Sequence, residues 1–205
     1  MLSEDHTMFP LAMGIQWKQI KPMFRHINGI MANACFPDML ATKVYPNAKE
    51  LTESAAAFDV VRNKMPVFAL NDPGVTLIAV ADGSTPRTAA MFAFRTRWNC
   101  ISIDPNLNHK EWENKIKRLT LFRKKIEDVH PMHFPKLVIA AVHSHAPFDL
   151  VCERFTADER LAIAIPCCYV QERERPPDLE YVDIGIWSPK NVVKVWWDGP
   201  PSEVV

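Results

Sequence analysis

The stretch Val75–Pro105, VTLIAVADGSTPRTAAMFAFRTRWNCISIDP, decides how the rest of the chain is read. It opens on an apolar, β-branched run, Val75-Thr76-Leu77-Ile78-Ala79-Val80. A run of that kind predicts a strand buried on both faces, as the strands of parallel sheets are. Asp82-Gly83-Ser84 predicts a sharp turn. Thr85 and Pro86 then stand in the order favoured for an N-cap and a first helical residue. Thr88 to Arg97 continues as a helix of small and apolar residues, and Cys100-Ile101-Ser102-Ile103 forms a second strand that ends at Asp104. Strand, tight turn, helix, and strand ending in an acid make the nucleotide half-site of a doubly wound α/β sheet. The helix start offers unpaired N–H groups, and the acid stands where ribose hydroxyls are gripped.

The turn has one glycine where a dinucleotide fingerprint has three. Pro86 and Arg87 stand where a pyrophosphate would need close approach to the backbone. A nucleoside cofactor without phosphates makes no such demand. The same residues also suit a sheet of this kind with an ordinary Asx-turn and no ligand.

At 205 residues the chain suits one domain with a short appendage. Hydrophobic residues make up 48%, enough for a sizeable core. Lys and Arg number 24, as do Asp and Glu, so the formal net charge is zero. That argues against gripping nucleic acid by bulk charge alone, though it leaves room for a local basic patch. No apolar run approaches the roughly 20 residues of a membrane helix, so no membrane partner is expected. The start, MLSEDHTMFP, shows no signal-peptide pattern, and five cysteines in no disulfide-like spacing fit a reducing, cytoplasmic compartment.

Working outward, residues 1–47 read as an N-terminal helical extension or lid, and residues 48–205 as the α/β domain. Residues 1–13 read as an irregular lead-in. Ile20, Met23, Phe24, Ile27 and Ile30 recur at near-helical spacing, Pro22 interrupts, and Cys35-Phe36-Pro37 ends the segment. Lys49 to Lys64 is a helix with Leu51, Ala55, Phe58, Val61 and Met65 on its core face and Asn47 as its cap. Met65 to Leu70 reads as a short extended piece, and Asn71-Asp72-Pro73-Gly74 as the turn into the first strand. Beyond Asp104, His109 to Lys117 is a short polar helix and Arg118 to Arg123 an alternating third strand. Lys124-Lys125-Ile126-Glu127-Asp128 closes it, with Glu127 and Asp128 at the strand exit. Leu137 to Val142 is a second buried strand, running into His143-Ser144-His145-Ala146-Pro147. Phe148 to Glu159 holds a helix, and Leu161 to Ile165 is another buried strand ending at Pro166-Cys167-Cys168-Tyr169. Tyr181 to Trp187 and Val192 to Trp197 read as a C-terminal β-hairpin.

Three features coincide: the DGSTP turn with Asp104 downstream, the VHSHAPFD strand end, and the PCCY strand end. Together they resemble the class I S-adenosylmethionine-dependent methyltransferases, which have a doubly wound, mostly parallel Rossmann-like sheet. The likeness is nearest to a branch whose fourth strand ends H-x-C-G…D and whose fifth ends CC-H/Y, which includes a tRNA ribose methyltransferase. It covers roughly residues 48–198. His143 matches the branch's histidine, His145 replaces its cysteine and Ala146 its glycine. The resemblance implies S-adenosylmethionine as cofactor. Asp82, Gly83 and Ser84, with Thr85 beside them, would line its methionine part. Asp104 would hold its ribose, and Glu127 or Asp128 would lie near its adenine. His143 to His145 would border the methyl group, with RNA as methyl acceptor by analogy. The alternative is a methyltransferase-like domain whose catalysis has decayed and which serves as a structural or interaction subunit with a protein partner.

Methyl transfer is an in-line displacement at a sulfonium, which needs positioning and sometimes a base, but no metal. His145, placed beyond the strand, is the preferred base and His143 the second candidate. Both could equally hydrogen-bond backbone at a strand end. A zinc site built from His143, His145, Cys167 and Cys168 has poor spacing, since adjacent cysteines seldom reach one ion. A Cys167 nucleophile with a histidine base lacks a recognisable nucleophile elbow and ranks below methyl transfer.

Overall fold

The computed structural model describes residues 23–167, 173 and 175–200. Calls that fall on residues 1–22, Cys168 and Tyr169 lie outside them. Seven strands form one sheet: β1 (Val75–Val80), β2 (Asn99–Ile103), β3 (Leu119–Phe122), β4 (Met132–Val142), β5 (Phe155–Ile165), β6 (Leu179–Val182) and β7 (Val192–Asp198). Their order is β3-β2-β1-β4-β5-β7-β6. β1 to β5 are mutually parallel, while β7 runs antiparallel to both β5 and β6. The chain winds outward from β1 to β3 and then returns to the other side of β1 as β4. The order therefore reverses between β1 and β4, where ligands bind in open α/β sheets. The fold is the expected doubly wound, mostly parallel one with a C-terminal antiparallel hairpin.

Helices α1 (Arg25–Met31), α2 (Phe36–Ala41), α3 (Ala48–Asp59), α4 (Arg87–Arg95), α5 (His109–Trp112) and α6 (Phe148–Arg154) cover the sheet. Alternate strand residues supply the two faces, as a period of two requires. Leu77, Ala79, Val138, Ala140 and Leu161 pack with α3 and α4. Ile78, Val80, Ile139, Ala141 and Ala162 pack with α6 on the other face. Asn47 caps α3 as expected, its side chain accepting the Glu50 N–H at 3.0 Å. The Asp72 carboxylate accepts the Gly74 N–H at 2.8 Å and fixes the turn into β1.

Several bounds differ from the sequence reading. α1 already stops at Met31, and Cys35-Phe36-Pro37 instead begins α2, because a proline in the first turn loses no helical hydrogen bond. Met65 to Leu70 joins no strand. α3 gives way to a widened π-helical turn over Val60–Lys64. β4 and β5 begin well before their apolar runs, since Met132 to Phe134 pairs with Phe155 to Ala157 beyond the edge of β1. This two-stranded projection is half exposed, so its polar residues carry no hydrophobic signal. β6 stops at Val182 because Asp183 turns inward to Arg25 and His26.

Candidate functional site

Two strand tips of the same design meet at the reversal point. Ala81 and His143, the first residues past β1 and β4, adopt left-handed φ values of 51° and 50°. Such values are costly for residues with a side chain. The Ala81 N–H donates to Ile103 O at 2.8 Å, and the His143 N–H to Ile165 O at 2.9 Å. Each tip is thereby bent across its neighbouring strand. The following residue turns inward in both: Asp82 is 2% exposed and Ser144 0%. The third residue, Gly83 or His145, faces a shared cavity of about 620 Å³. That volume lies within the roughly 300–1,000 Å³ of ligand pockets.

The first tip is internally tied. One Asp82 oxygen accepts the Thr88 N–H at 2.9 Å, and the other the Ala89 N–H at 3.1 Å and the Ser102 hydroxyl at 3.2 Å. Asp82 therefore caps α4, the role expected of Thr85. The helix starts at Arg87, one residue later than expected, because its cap comes from the strand end and not from the residue before Pro86. Burial pushes the Asp82 carboxyl up, against the opposing pull of Arg87 and the two N–H groups. Asp82, Ser84 and Thr85 do not line the cavity, whereas Gly83 does. Ser84 is exposed, and its carbonyl accepts the Asn108 N–H at 2.9 Å. Gly83, at φ 87°, has the Arg87 guanidinium 3.0 Å from where a Cβ would stand. Arg87 forms part of the wall and is held there by Glu50 at 3.1 Å.

Asp104 lies in the cavity wall. Its two oxygens accept the Gly83 N–H at 3.0 Å and the Asn106 N–H at 2.6 Å. It thus clasps the first turn to the loop after β2, and each oxygen keeps a second acceptor direction. Glu127 lines the far side with Lys125, while Asp128 does not. Of the two acids left open at the β3 exit, only Glu127 reaches the cavity.

The second tip is tied from a distance. His143 Nε2 lies 3.1 Å from Lys190 O, which can only accept, so that nitrogen carries its hydrogen. His143 Nδ1 is 3.4 Å from Glu53 Oε1. The ring is thus clamped between α3 and the loop 183–191 while one edge meets the cavity. His145 is exposed, and its Nε2 is 3.6 Å from Cys167 Sγ. The structure therefore brings Gly83, Asp104, Glu127, His143 and His145 together, with Cys167 beside them. Burial pushes the Cys100 thiol up to about 12 and that of Cys152 in the same direction, so both are inert core residues. Among the described residues no group of three or more His, Cys, Asp or Glu is placed to hold a metal ion.

Three participants were not singled out from the sequence. Glu50 and Glu53 sit in a helix read only for its apolar face, yet the Glu53 side chain is 1% exposed. A carboxylate among Leu51, Ala55 and Ala56 was the available signal. Lys190 acts through its carbonyl, which no residue pattern reveals.

No family model matches the sequence, and no curated protein does. Solved structures of similar fold include a candidate S-adenosyl-L-methionine-dependent methyltransferase from Methanococcus maripaludis. It is 9% identical, with a TM-score of 0.42 over 62% of this chain and 62% of that one. Coclaurine N-methyltransferase, solved with N-methylheliamine and SAH, is 11% identical, with a TM-score of 0.42 over 75% of this chain and 54% of its own. A SAM-dependent methyltransferase from Aquifex aeolicus is 13% identical, with a TM-score of 0.38 over 58% of this chain and 72% of its own. The chain thus spans less than two-thirds of the length of the first two. Among the described residues no helix is long and apolar enough to cross a membrane.

Proposed function

We propose that this chain is an S-adenosylmethionine-dependent methyltransferase. The observation that carries the reading is the cavity at the carboxyl ends of β1, β2 and β4, with Gly83, Asp104 and His145 on its walls. It lies where the strand order reverses, the position at which doubly wound sheets bind nucleosides. Both bordering tips carry a non-glycine residue in a left-handed conformation, and strain of that kind clusters at functional sites. Asp104 offers its remaining acceptor directions to ribose hydroxyls, and Glu127 offers a carboxylate toward the adenine. The cofactor, when bound, supplies an electrophilic methyl group. His145, exposed on the opposite wall, takes a proton from the incoming nucleophile, and His143 is the fixed wall behind it. Of the sequence-derived cofactor set, Asp82, Ser84, Thr85 and Asp128 act by shaping the turn or the rim. RNA is the acceptor class we carry forward. It rests on the strand-end motifs and on exposed Lys124 and Lys125 near the cavity mouth.

Calorimetric titration with S-adenosylmethionine tests the reading. The wild type binds and is thermally stabilised. Asp104→Ala weakens binding at least about tenfold, roughly 1.4 kcal/mol. A second reading, a decayed domain acting as an interaction subunit, is favoured by Arg87 standing against the single glycine of the turn. It predicts no binding by the wild type and recovered binding by Arg87→Ala. Absence of binding in both proteins removes the methyltransferase reading.

A further inference from the structure

The far end of α3 carries a concentration of positive charge that the cofactor cavity does not use. Glu53 faces the cavity elements, and Arg62 follows nine positions later, roughly 13 Å along the helix axis. Arg62 lies in the π-helical turn over Val60–Lys64. Widened turns of this kind are frequent at functional sites. Arg95, the last residue of α4, lies over the Phe58 ring, its guanidinium carbon 3.9 Å from the centroid. That stacking fixes the plane of its fork. Among the described residues, none accepts a hydrogen bond from the guanidinium group of Arg62 or Arg95. Burial and the adjacent Arg62 charge both lower the proton affinity of Arg95, so the two guanidinium groups are close enough to repel.

The nearby acid, Asp59, offsets this charge only in part. One Asp59 oxygen accepts from Asn63 at 2.6 Å, and the other faces Arg25 at 3.3 Å. Arg25 is itself committed to Asp183. Two adjoining cavities of about 310 and 360 Å³ share Phe58, Arg62 and Arg95 as walls.

We propose that Arg62 and Arg95 form a second site, separate from the cofactor cavity, that binds a phosphate-type oxyanion. Two planar forks with unused N–H donors match a tetrahedral dianion, which can accept bidentate bonds from both. A tetrahedral oxyanion offers more acceptor oxygens to the pair than a single carboxylate does. The occupant is either a free phosphate or pyrophosphate, or the phosphate of a nucleotide. In the second case Leu70 and Phe94, which line the larger cavity, supply an apolar wall for the base.

The test is calorimetric titration of the full chain with inorganic pyrophosphate, adenosine monophosphate and a short single-stranded RNA oligomer. Saturable binding is expected for at least one. Arg62→Glu, an exposed change that leaves the core intact, weakens it at least about tenfold, the scale of one charge-assisted hydrogen bond. Arg95→Lys keeps the charge but loses the fork, and weakens it by a similar factor. Pyrophosphate binding alone assigns the site to free phosphate, and binding of the nucleotides alone assigns it to a nucleotide phosphate. Asp104→Ala keeps this binding while it loses S-adenosylmethionine, so the two readings fail separately. Absence of saturable binding, affinity unchanged in both arginine variants, or loss of binding in folded Asp104→Ala overturns the proposal.

Discussion

The two strand tips that border the cavity share one backbone design and differ in what holds them. At the β1 tip, Ala81-Asp82-Gly83, the restraints are local. Asp82 caps the helix that follows, and Asp104 on the next strand clasps Gly83. At the β4 tip, His143-Ser144-His145, the hydroxyl of Ser144 accepts the Ala146 N–H at 3.0 Å. The orientation of His143 comes from Glu53 on α3 and Lys190 between β6 and β7. The first tip is a self-contained wall. The second is a wall assembled from three distant parts of the chain, with its outermost histidine left exposed. An invariant ligand suits the first arrangement, and chemistry that must be tuned suits the second.

The largest expected effect breaks the first tip. Asp82→Ala strips a buried acceptor from two helix N–H groups and one hydroxyl, and costs about 3 kcal/mol in chemical denaturation. Asp82→Asn keeps one acceptor oxygen and costs about 1 kcal/mol. If Asp82→Ala proves as stable as the wild type, the first tip is not held by this carboxylate and the contrast disappears.

The next effect loosens the second tip from afar. Asp183 starts the loop that carries Lys190. Burial alone would raise its carboxyl, but hydrogen bonds from His26 and Arg25 outweigh that and hold it at about 2, below its ordinary 3.8. Because the folded value is depressed, the contribution is fully present above pH 4. It is lost as pH falls from the unfolded value toward about 2. A shift of this size corresponds to about 2 kcal/mol. Asp183→Asn should therefore destabilise by about that amount at pH 7, and the difference from wild type should vanish near pH 2. A constant difference across that range would remove the ion cluster from the account.

The contrast also explains what could be read from the sequence. β1, its turn, α4 and β2 are contiguous, and their signals are local: a β-branched run, a small-residue helix, and an acid at the next strand end. Even there, Asp82 takes the capping role expected of Thr85, because the cap comes from a residue that sequence spacing places too early. The β4 tip was located correctly from the apolar run Leu137–Val142, and His143 and His145 do reach the cavity. Their difference in freedom was not legible, since it depends on Glu53, remote in sequence, and on a backbone carbonyl. The same holds for the outer halves of β4 and β5. Pairing across Met132–Phe155 and His133–Thr156 holds them, and no hydrophobic pattern announces it.

The smallest effect on stability falls where the effect on chemistry should be concentrated. His145 is exposed, and its described partner is Cys167, with Nε2 and Sγ 3.6 Å apart. Replacing an exposed side chain away from caps and buried networks usually changes stability by no more than about 0.5 kcal/mol. His145→Ala should therefore melt like the wild type and bind S-adenosylmethionine with unchanged affinity, because the first tip is untouched. If His145 takes the acceptor's proton, turnover under saturating cofactor should fall by roughly 10²–10⁴-fold, the usual scale of general-base catalysis. The corresponding change at the clamped histidine, His143→Ala, should cost stability as well as turnover, since it leaves Glu53 buried beside a void. Equal losses of stability in the two variants would mean that the two histidines of the second tip are held alike. Undiminished turnover in His145→Ala would leave the exposed histidine as a surface residue, and the clamped one as the remaining candidate base.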